Sequence, residues 1–487
     1  MQRAVTSSTA LRSRAHSLLA RISSAALFFY FFAVLFAKRA DLYLNVYTVG
    51  SIVLIYWIFA QKLQIIERIN GAALFVLFFC LSILWVNNIA VIPVSDFAEY
   101  YDLANRFASN KIHDLYFVAQ SRSPLSTLYF GSVFLLFHSS FFVAMMSSIV
   151  MWSFHPVVLR LLALELGLDR RLAALAAIIY ALSPAMICFS PVMSSESVFI
   201  LMIMLAMLYG VRCVKAPTPR SLLLFGLTLG ASHLSRPNAF FFAAPLGAVF
   251  LWRTVAPPFS VPRLKLLALA AAPLSVCLLF QLFLNVTYFH RYSFSSSAYG
   301  AYNLLAGTNM KSSGGWNMDD IRLAGYDKIK FADPESLELA NSQAVRIATQ
   351  RIMESPMRFA KFALTEKLFH LWHGDAQAIY WCRGQELSPD DNNVIKRATK
   401  FSDIYLYVFV VLTMLGSVLL FFDKRRGTSL LGLGQLLITM VVLIIAGMHL
   451  FLEVQPRYHW PLYPFMAIIG AYALSPRHFA WLSRRSG

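Results

Sequence analysis

The chain has 487 residues, of which 58% are hydrophobic and only 14% are charged. A soluble protein of this length could not cover so much apolar surface with so few polar groups, and a disordered chain has the opposite composition. The five cysteines are spread over the chain, so they predict neither a disulfide framework nor a zinc site. The composition therefore predicts an all-α polytopic membrane protein.

The net charge of +18 does not come from a soluble basic domain. Short cytoplasmic loops of membrane proteins are enriched in Lys and Arg, which accounts for basic residues between apolar segments. A phosphate-bearing lipid would also favour basic groups near a binding site. We therefore predict a lipid bilayer as partner and no nucleic acid.

Thirteen apolar segments approach the length of about 20 residues that a membrane-spanning helix needs. They lie at about 23–37, 43–60, 70–93, 124–137, 140–159, 172–189, 194–214, 221–235, 238–252, 264–288, 401–422, 428–452 and 458–475. An even number must cross between the two outer loops, so either 124–159 or 221–252 is expected to contain a broken or re-entrant helix. About 12 transmembrane helices are predicted.

Lys and Arg clusters set the orientation of these segments. The basic N-terminus and the clusters near 212–220, 253–265, 424–426 and 477–485 are assigned to the cytoplasm. The resulting organisation is a cytoplasmic N-terminus at 1–22, a transmembrane bundle at 23–289 with a first outer loop at 94–123, an outer (periplasmic) loop at 290–400, C-terminal transmembrane helices at 401–475 and a cytoplasmic tail at 476–487.

The outer loop at 290–400 carries the start signals of two juxtamembrane helices. Asp333-Pro334 reads as an N-cap followed by Pro at the first helical position, which predicts a helix to about Met353. Ser355-Pro356 repeats the signal, and the aromatic stretch from Met357 to Trp372 predicts a second helix that lies along the membrane surface.

Acids and tyrosines are concentrated at the outer end of the segment at 70–93. They are Asp96, Glu99, Tyr100, Tyr101 and Asp102. Acids are common where a span meets water, and each acid alone is explained in that way. Three acids together favour a catalytic role, because a partly desolvated carboxylate can act as a general base.

Three charged residues interrupt or border later apolar segments. Glu196 follows Ser194-Ser195, so it is either functional or an acid in the first turn of a helix that one of these serines caps. Arg236 interrupts an apolar stretch, and a charge within the membrane is a functional hypothesis by default. Arg457 opens the last segment, either as a site residue or as an interfacial residue that reaches toward water.

Glycines and asparagines are concentrated at 307–309 and 312–317. Such a loop either brings backbone N–H groups close to a sugar or phosphate, or forms a plain surface turn. The histidines lack paired ligand spacing, so no metal site is predicted, and a divalent metal is compatible with the sequence without being indicated by it.

In chain order, these residues resemble the glycosyltransferase-C superfamily of membrane enzymes that use polyprenyl-phosphate-linked sugars. The resemblance is strongest to the protein O-mannosyltransferase-like branch, which includes the bacterial enzymes that add aminoarabinose or galacturonic acid to lipid A and core. The motifs that carry it are Asp96 with Glu99, Tyr100 and Tyr101; Ser123-Pro124-Leu125; Leu182-Ser183-Pro184 before Glu196; Ser235-Arg236-Pro237-Asn238; Pro356 heading a helix that ends Leu371-Trp372; and Arg457-Tyr458 with Pro461 and Pro464.

The resemblance implies a hexosyl- or pentosyl-type transferase that moves a sugar from a polyprenyl-phosphate donor to an acceptor on the outer face by inverting displacement. Asp96 would be the base. The family often has two adjacent acids here, but Phe97 follows Asp96, so Glu99 and Asp102 both remain candidates for the second carboxylate, with Glu99 taken as catalytic. The residues expected to bind substrate are Tyr100, Tyr101, Arg122, Glu196, Arg236, Arg457 and Tyr458.

The resemblance also implies the setting of the enzyme. No cofactor is obligatory, the acceptor is a lipid or cell-surface glycan such as lipopolysaccharide, and the location is the bacterial inner membrane with the site facing the periplasm. Two other classes share many of these features, namely a transporter or flippase of lipid-linked sugars and a polymerase or ligase of lipid-linked glycans. The large structured outer loop favours the transferase over the transporter.

Overall fold

The computed structural model describes residues 21–32, 49–56, 64–89, 91–109, 115–242, 244, 261–297, 299–329, 334–381, 389–422 and 430–475. Within these ranges every regular element is helical, so the predicted all-α class is confirmed. The helices are α1 Arg21–Phe32, α2 49–56, α3 Gly71–Val86, α4 Asp96–Ser109, α5 Tyr116–Gln120, α6 Pro124–Phe137, α7 Phe141–Glu165, α8 Arg170–Ala181, α9 Pro184–Phe189, α10 Ser195–Lys215, α11 Pro219–Ser235, α12 Val261–Phe289, α13 Gly300–Gly307, α14 Met318–Ala324, α15 Pro334–Glu354, α16 Pro356–Phe362, α17 Leu368–Leu371, α18 Ala376–Tyr380, α19 Pro389–Phe422, α20 Leu430–Phe451 and α21 Tyr463–Ala473.

The chain is a multi-pass integral membrane protein. Among the described residues, four helices are long and apolar enough to cross a bilayer, namely those at Phe141–Glu165, Ser195–Lys215, Lys265–Phe289 and Asn392–Phe422. Shorter apolar helices lie at Arg21–Phe32, Gly71–Val86, Pro124–Phe137 and Leu436–Phe451. These helices do not amount to the predicted set of about twelve crossings. The predicted segments at 23–37, 43–60 and 238–252 fall partly outside the described residues.

Two predicted segments differ from single continuous helices. The segment at 172–189 is divided into α8 and α9 at Ser183, whose backbone is extended. Pro184 follows, and proline disfavours a helical conformation of the residue before it. The last segment begins with a 3-10 turn at Pro456–Leu462 and becomes α-helical only in α21. Pro461 lies inside the turn and has no N–H to donate, which disfavours a continuous α-helix through this stretch.

Burial separates the centre of the bundle from its edge. The apolar stretch of α10 is 78% buried and that of α19 is 72% buried, whereas that of α12 is only 11% buried. Large side chains fill the centre between α7, α8, α10, α19 and α21, among them Trp152, Tyr180, Trp460 and Tyr463. The centre is therefore protein-packed, and α12 lies at the periphery.

Two glycines attach the peripheral helix α12 to α11. A Cβ atom on Gly226 would lie 1.9 Å from the carbonyl oxygen of Ala270, and one on Gly230 would lie 2.6 Å from the Cβ of Cys277. The spacing of four residues places both glycines on one face of α11. Small residues of this kind let helix backbones approach closely within a membrane. We call this pair the glycine seam.

The loop at 94–123, predicted to face outward, contains an amphipathic helix. In α4 the buried side chains Phe97, Tyr100, Leu103, Ala104 and Phe107 recur at helical spacing, and they pack mainly against α6. Helix α6 has 14 residues, which corresponds to about 21 Å and is shorter than a hydrocarbon core of about 30 Å. The opposite, polar side of α4 carries the acids of the candidate site.

The two helices predicted from start signals within 290–400 are present in the structure. Helix α15 spans Pro334–Glu354, although Asp333, its predicted N-cap, lies outside the described residues. The predicted aromatic helix is present as α16 and α17, joined by a wider π-helical stretch at Ala363–Lys367. A buried ion pair links α14 to α15, because Arg351 Nη2 lies 2.6 Å from Asp320 Oδ1.

The glycine-rich loop packs against the chain that follows α20. A Cβ on Gly307 would lie 2.2 Å from the carbonyl oxygen of Phe451, and Gly314 has a φ of +77°. The carbonyl of Gly314 accepts from the amide of Val454 at 3.0 Å. The ammonium of Lys367 lies within 3.0 Å of the carbonyls of Gly307, Leu450 and Leu452. Close packing thus requires these glycines, and the predicted contact with a sugar or phosphate stays a prediction.

Candidate active site

Asp96, the first residue of α4, lies between two guanidinium groups. Arg122 Nη1 is 3.4 Å from Asp96 Oδ1, and Arg457 Nη2 is 3.4 Å from Asp96 Oδ2. The Asp96 side chain is 34% exposed, so a substrate hydroxyl can reach it. Arg122 also lies 3.8 Å from Glu99 Oε2. Both predicted catalytic acids are thereby brought to the same arginine.

Glu196 and Arg236 form a second, deeper pair. Arg236 Nη2 donates to Glu196 Oε1, and only 2% of the Glu196 side chain is exposed. Arg236 also donates from Nε and Nη2 to Ser195 Oγ, at 3.1 and 3.0 Å. A buried acid needs such partners, because an isolated charge would be expensive to bury.

Arg457 joins the two pairs into one site. Its Nε lies 4.0 Å from Glu196 Oε1, while its Nη2 reaches Asp96. Its residue exposure is 8%, and the guanidinium faces the rings of Phe97 and Trp381 at 5.7 and 5.8 Å. The alternative in which Arg457 reaches out toward water at the membrane surface is therefore wrong.

Glu196 does lie in the first turn of α10, as the alternative explanation requires, but no serine side chain caps that helix. Ser194 is the N-cap residue of α10, but its side chain makes no capping hydrogen bond, and its hydroxyl has no partner within the described residues. The hydroxyl of Ser195 instead accepts from Arg236 and lies 3.4 Å from the hydroxyl of Tyr100. Glu196 is thus held by the side chains of Ser195 and of Arg236, the residue after α11.

The three predicted tyrosines have different surroundings. Tyr100 is buried and contacts Ser195 inside the site. Tyr458 lies beside the guanidinium of Arg457, with 6.0 Å between the carbon and the ring centre, and stacks on His449. Tyr101 points elsewhere, because its ring packs against Phe134 and Phe141. The structure therefore does not bring Tyr101 together with the other predicted residues, and Asp102 pairs with Arg106 away from them.

Sequence reasoning missed several residues of the site. Ser195 binds Arg236, Gln377 Oε1 accepts from the Arg457 amide at 3.3 Å, and Trp381 faces the Arg457 guanidinium. Glu453 is also nearby, 6% exposed, with Gln455 donating to it at 2.7 Å. Ser195 and Trp381 border motifs or polar loops already noted, but nothing in their local sequence indicates the partner.

Burial changes the acidity of two carboxyl groups in the site. It raises the pKa of Glu99 above its usual range, and the nearby Arg122 opposes this rise. Burial likewise raises the pKa of Glu453, against the opposing effects of Gln455 and Arg457. Both carboxyl groups therefore hold a proton more readily than free acids do.

Three arginine side chains make the site suitable for an anionic ligand. Arg122, Arg236 and Arg457 converge from three separate elements, and a guanidinium binds phosphate through two parallel N–H groups. In the part of the chain that the structure describes, no three His, Cys, Asp or Glu side chains are grouped so that they could hold a metal ion.

The class of enzyme follows from a comparison with known families. The model of a family of lipid-phosphate-sugar-dependent glycosyltransferases matches the chain over residues 124–295, a segment that contains Glu196 and Arg236. That family is described as dolichyl-phosphate-mannose-protein mannosyltransferase. The predicted resemblance to the glycosyltransferase-C superfamily and the predicted class of enzyme are confirmed by this match.

The chain is also similar to solved structures of ArnT from Cupriavidus metallidurans, one in the apo state and one bound to undecaprenyl phosphate. In both comparisons the identity is 12%, the TM-score is 0.35, and the match covers 84% of this chain and 79% of the ArnT chain. No curated protein sequence matches the chain.

Proposed function

We propose that the chain transfers a sugar from a polyprenyl-phosphate donor to a hydroxyl or amine acceptor at the outer face of the membrane. The observation that carries the proposal is the position of Arg457, which contacts both Asp96 and Glu196. One cationic group thus connects a solvent-accessible acid to a buried acid in a protein that shares a segment with a lipid-phosphate-sugar transferase family.

The arginines supply the phosphate site in this proposal. The donor carries one negative charge on its phosphodiester, and cleavage of the bond between the sugar carbon and the phosphate oxygen leaves a second. Arg122 and Arg457 lie at 3.4 Å from Asp96, longer than a tight charge-assisted hydrogen bond, so they can turn to a phosphate at small cost. Placed in advance, they stabilise the charge as it develops.

Asp96 is the proposed general base. The acceptor attacks the anomeric carbon from the side opposite to the phosphate, which inverts that carbon. Its proton passes to the Asp96 carboxylate, and the electron pair of the broken bond leaves with the lipid phosphate. Glu99, which is 3.8 Å from the same Arg122, is the proposed second carboxylate.

The proposed topology has twelve crossings with the site at the outer face. Helix α6 is the candidate for the apolar segment that does not cross, because it is short and packs along α4. The opposite end of the bundle supports the same orientation, since Glu165 pairs there with the basic residues Arg212 and Lys215. The loop at 290–400 then covers the outer side.

The proposed acceptor is a lipid or a cell-surface glycan, and the proposed location is a bacterial inner membrane. The resemblance of the motifs to the lipid A and core branch supports both. A donor with an isoprenoid tail would place its chain beside apolar helices and its phosphate at the arginines. No cofactor is part of this proposal.

Mass spectrometry of the donor lipid tests the transferase against a transporter. In membranes that contain the protein, a transferase converts the lipid-linked sugar to free lipid phosphate and a glycosylated acceptor. A transporter leaves the sugar bonded to the lipid. Membranes with Asp96→Asn serve as the inactive comparison, and membranes with Asp102→Asn as the matched control. Equal release of lipid phosphate with and without the protein would contradict the proposal.

A further inference from the structure

A buried polar cluster lies beside the site and takes no part in the proposed reaction. Asp375, in the turn before α18, is 1% exposed, and His459 in the 3-10 turn at Pro456–Leu462 is fully buried. Both are surrounded by the apolar centre of the bundle. Because an unpaired buried carboxylate is strongly destabilising, the arrangement of its partners has to be well defined.

Three side chains from one short segment of chain meet the Asp375 carboxylate, and two of them, Trp460 and Tyr463, donate to it. Its Oδ1 lies 2.8 Å from Trp460 Nε1 and 3.1 Å from His459 Nε2, and its Oδ2 accepts from the hydroxyl of Tyr463. All three partners follow Arg457 within six residues. Asp375 therefore contacts the buried side of the turn that carries Arg457.

The segment that begins at Asp375 also contacts Arg457 directly. Gln377 Oε1 accepts from the backbone amide of Arg457 at 3.3 Å. The ring of Trp381 lies 5.8 Å from the Arg457 guanidinium carbon. The same short stretch of chain thus meets Arg457 at its backbone and at its charged end.

Asp375 is also held by a contact of its backbone with α19. Its amide donates to Asp403 Oδ1 of α19 at 2.6 Å. The neighbouring Gly374 makes room for this contact, since a Cβ there would lie 2.3 Å from the same oxygen. The ring of Trp372 stacks on His459 with a centroid distance of 4.8 Å. The turn before α18 is therefore held by α19 as well as by the segment that follows Arg457.

We infer that Asp375 is a positioning residue, which sets the place of Arg457 opposite Asp96 by holding His459, Trp460 and Tyr463. The inference rests on the proposed function for its consequence, since Arg457 is the proposed phosphate ligand. A displacement of Arg457 would weaken its grip on a phosphate without removing any group that touches the substrate.

The first experiment is a double-mutant cycle on the purified full-length protein. Asp375→Asn and Arg457→Gln are made singly and together, and thermal unfolding midpoints are measured without ligand. Residues that act through one another give non-additive shifts. We expect the double variant to unfold at a temperature near that of the less stable single variant. Additive shifts would overturn the inference.

The second experiment measures affinity for undecaprenyl phosphate as the probe. We expect Asp375→Asn to weaken binding about tenfold, and to have no further effect when Arg457 is already Gln. If the wild type does not bind the probe while the midpoints are non-additive, the proposed function fails and the positioning role stands.

A matched pair of tyrosines covers the case in which Asp375→Asn or Arg457→Gln does not fold. Tyr463→Phe removes a hydroxyl that donates to Asp375, whereas Tyr405→Phe removes an equally buried hydroxyl that donates to the carbonyl of Ile179 at 2.7 Å. We expect Tyr463→Phe to weaken probe binding several-fold and Tyr405→Phe to leave it within twofold. Equal effects of the two variants would overturn the inference.

Discussion

Arg457 and Asp96 are 361 residues apart in the sequence, and Arg457 Nη2 lies 3.4 Å from Asp96 Oδ2. The contact joins the start of α4 to the 3-10 turn at Pro456–Leu462, which precedes α21. The rings of Phe97 in α4 and of Trp381, the residue after α18, lie 5.4 Å apart, and both face the Arg457 guanidinium. The site therefore forms only when α4 and the turn that carries Arg457, which are distant in the sequence, pack together in the folded protein.

Asp96→Asn is expected to abolish sugar transfer while the protein remains folded and inserted. The amide is nearly isosteric but cannot take the proton of the acceptor, and general base catalysis contributes about 10²–10⁴-fold in rate. Conversion of donor lipid to lipid phosphate, followed by mass, measures the loss. Asp96→Glu should lose most activity too, because the added methylene moves the carboxylate by about 1 Å.

Asp102→Asn is the matched control on the same helix. Asp102 pairs with the exposed Arg106 at 2.8 Å and does not contact the site arginines, so its loss should leave transfer near the wild-type rate. Glu99→Gln separates the two candidate bases. An inactive Glu99→Gln together with an active Asp96→Asn would identify Glu99 as the base. Full activity of all three variants would show that these acids are not catalytic and lie here only because the span meets water.

Arg457→Lys should weaken use of the donor at normal expression. Lysine keeps the charge but loses the planar fork that binds a phosphate through two N–H groups. It also cannot reach Asp96 and Glu196 together, as the Arg457 guanidinium does through Nη2 and Nε. The measurement is the donor concentration at half-maximal rate, with Arg106→Lys as the surface control. An unchanged donor dependence would remove Arg457 from the phosphate site.

Glu196→Gln should destabilise the protein by about 3–5 kcal/mol, because it leaves Arg236 and Arg457 without a buried counter-charge. The matched control is Glu165→Gln, whose ion pairs with Arg212 and Lys215 are more exposed. That change should cost about 0–1 kcal/mol. Thermal unfolding of both variants in detergent measures the difference, and equal losses would contradict the buried pairing.

Lys367 is expected to make stability depend on pH. Burial lowers its pKa to about 7 in the folded protein, whereas an unfolded lysine has a pKa of about 10.4. Between these values the unfolded chain binds more protons, so the wild type should gain stability as pH rises from about 7. Lys367→Met has no titrating group at this position, so its stability lacks this pH dependence. The unfolding midpoint of the wild type relative to that variant should increase from pH 6.5 to pH 9, and a constant difference would show that Lys367 keeps its usual pKa.

Topology reporters should place Gly487 in the cytoplasm and the 290–400 loop outside. Insertion into Ser312–Gly315 would separate Gly314 from Val454, whose amide it binds at 3.0 Å. The turn after Gly325 is a better position, because no other group lies within 4 Å of a Cβ there and Asp327 and Lys328 are exposed. Finding this turn on the cytoplasmic side would remove the proposed outer site.

Local signals in the sequence were sufficient for several elements. Proline after serine or aspartate located the starts of α15 and α16, because proline fits the first turn of a helix. A charge in an apolar stretch is costly enough to mark Arg236 and Glu196 as residues that need partners. The recurring apolar positions of α4, from Phe97 to Phe107, also match the spacing of an amphipathic helix.

Pairing between distant residues could not be predicted in this way. Arg236 binds Ser195, 41 residues away, and Arg457 depends on Gln377, 80 residues away. Such partners are chosen by the packing of helices, which no local pattern specifies. Tyr101 shows the reverse case, since its position next to Tyr100 suggested a role in the site while the helix turns it toward Phe134.

The glycine seam has a consequence for how α12 responds to mutation. Lipid tails are as apolar as leucine, so the hydrophobic effect does not hold one helix to another inside a bilayer. Attachment of α12 depends on the close approach of backbones at Gly226 and Gly230. A change such as Gly226→Leu raises the hydrophobicity of α11 and yet should separate α12 from the bundle. At these two positions, a more hydrophobic residue is therefore expected to weaken the packing of α12 on α11.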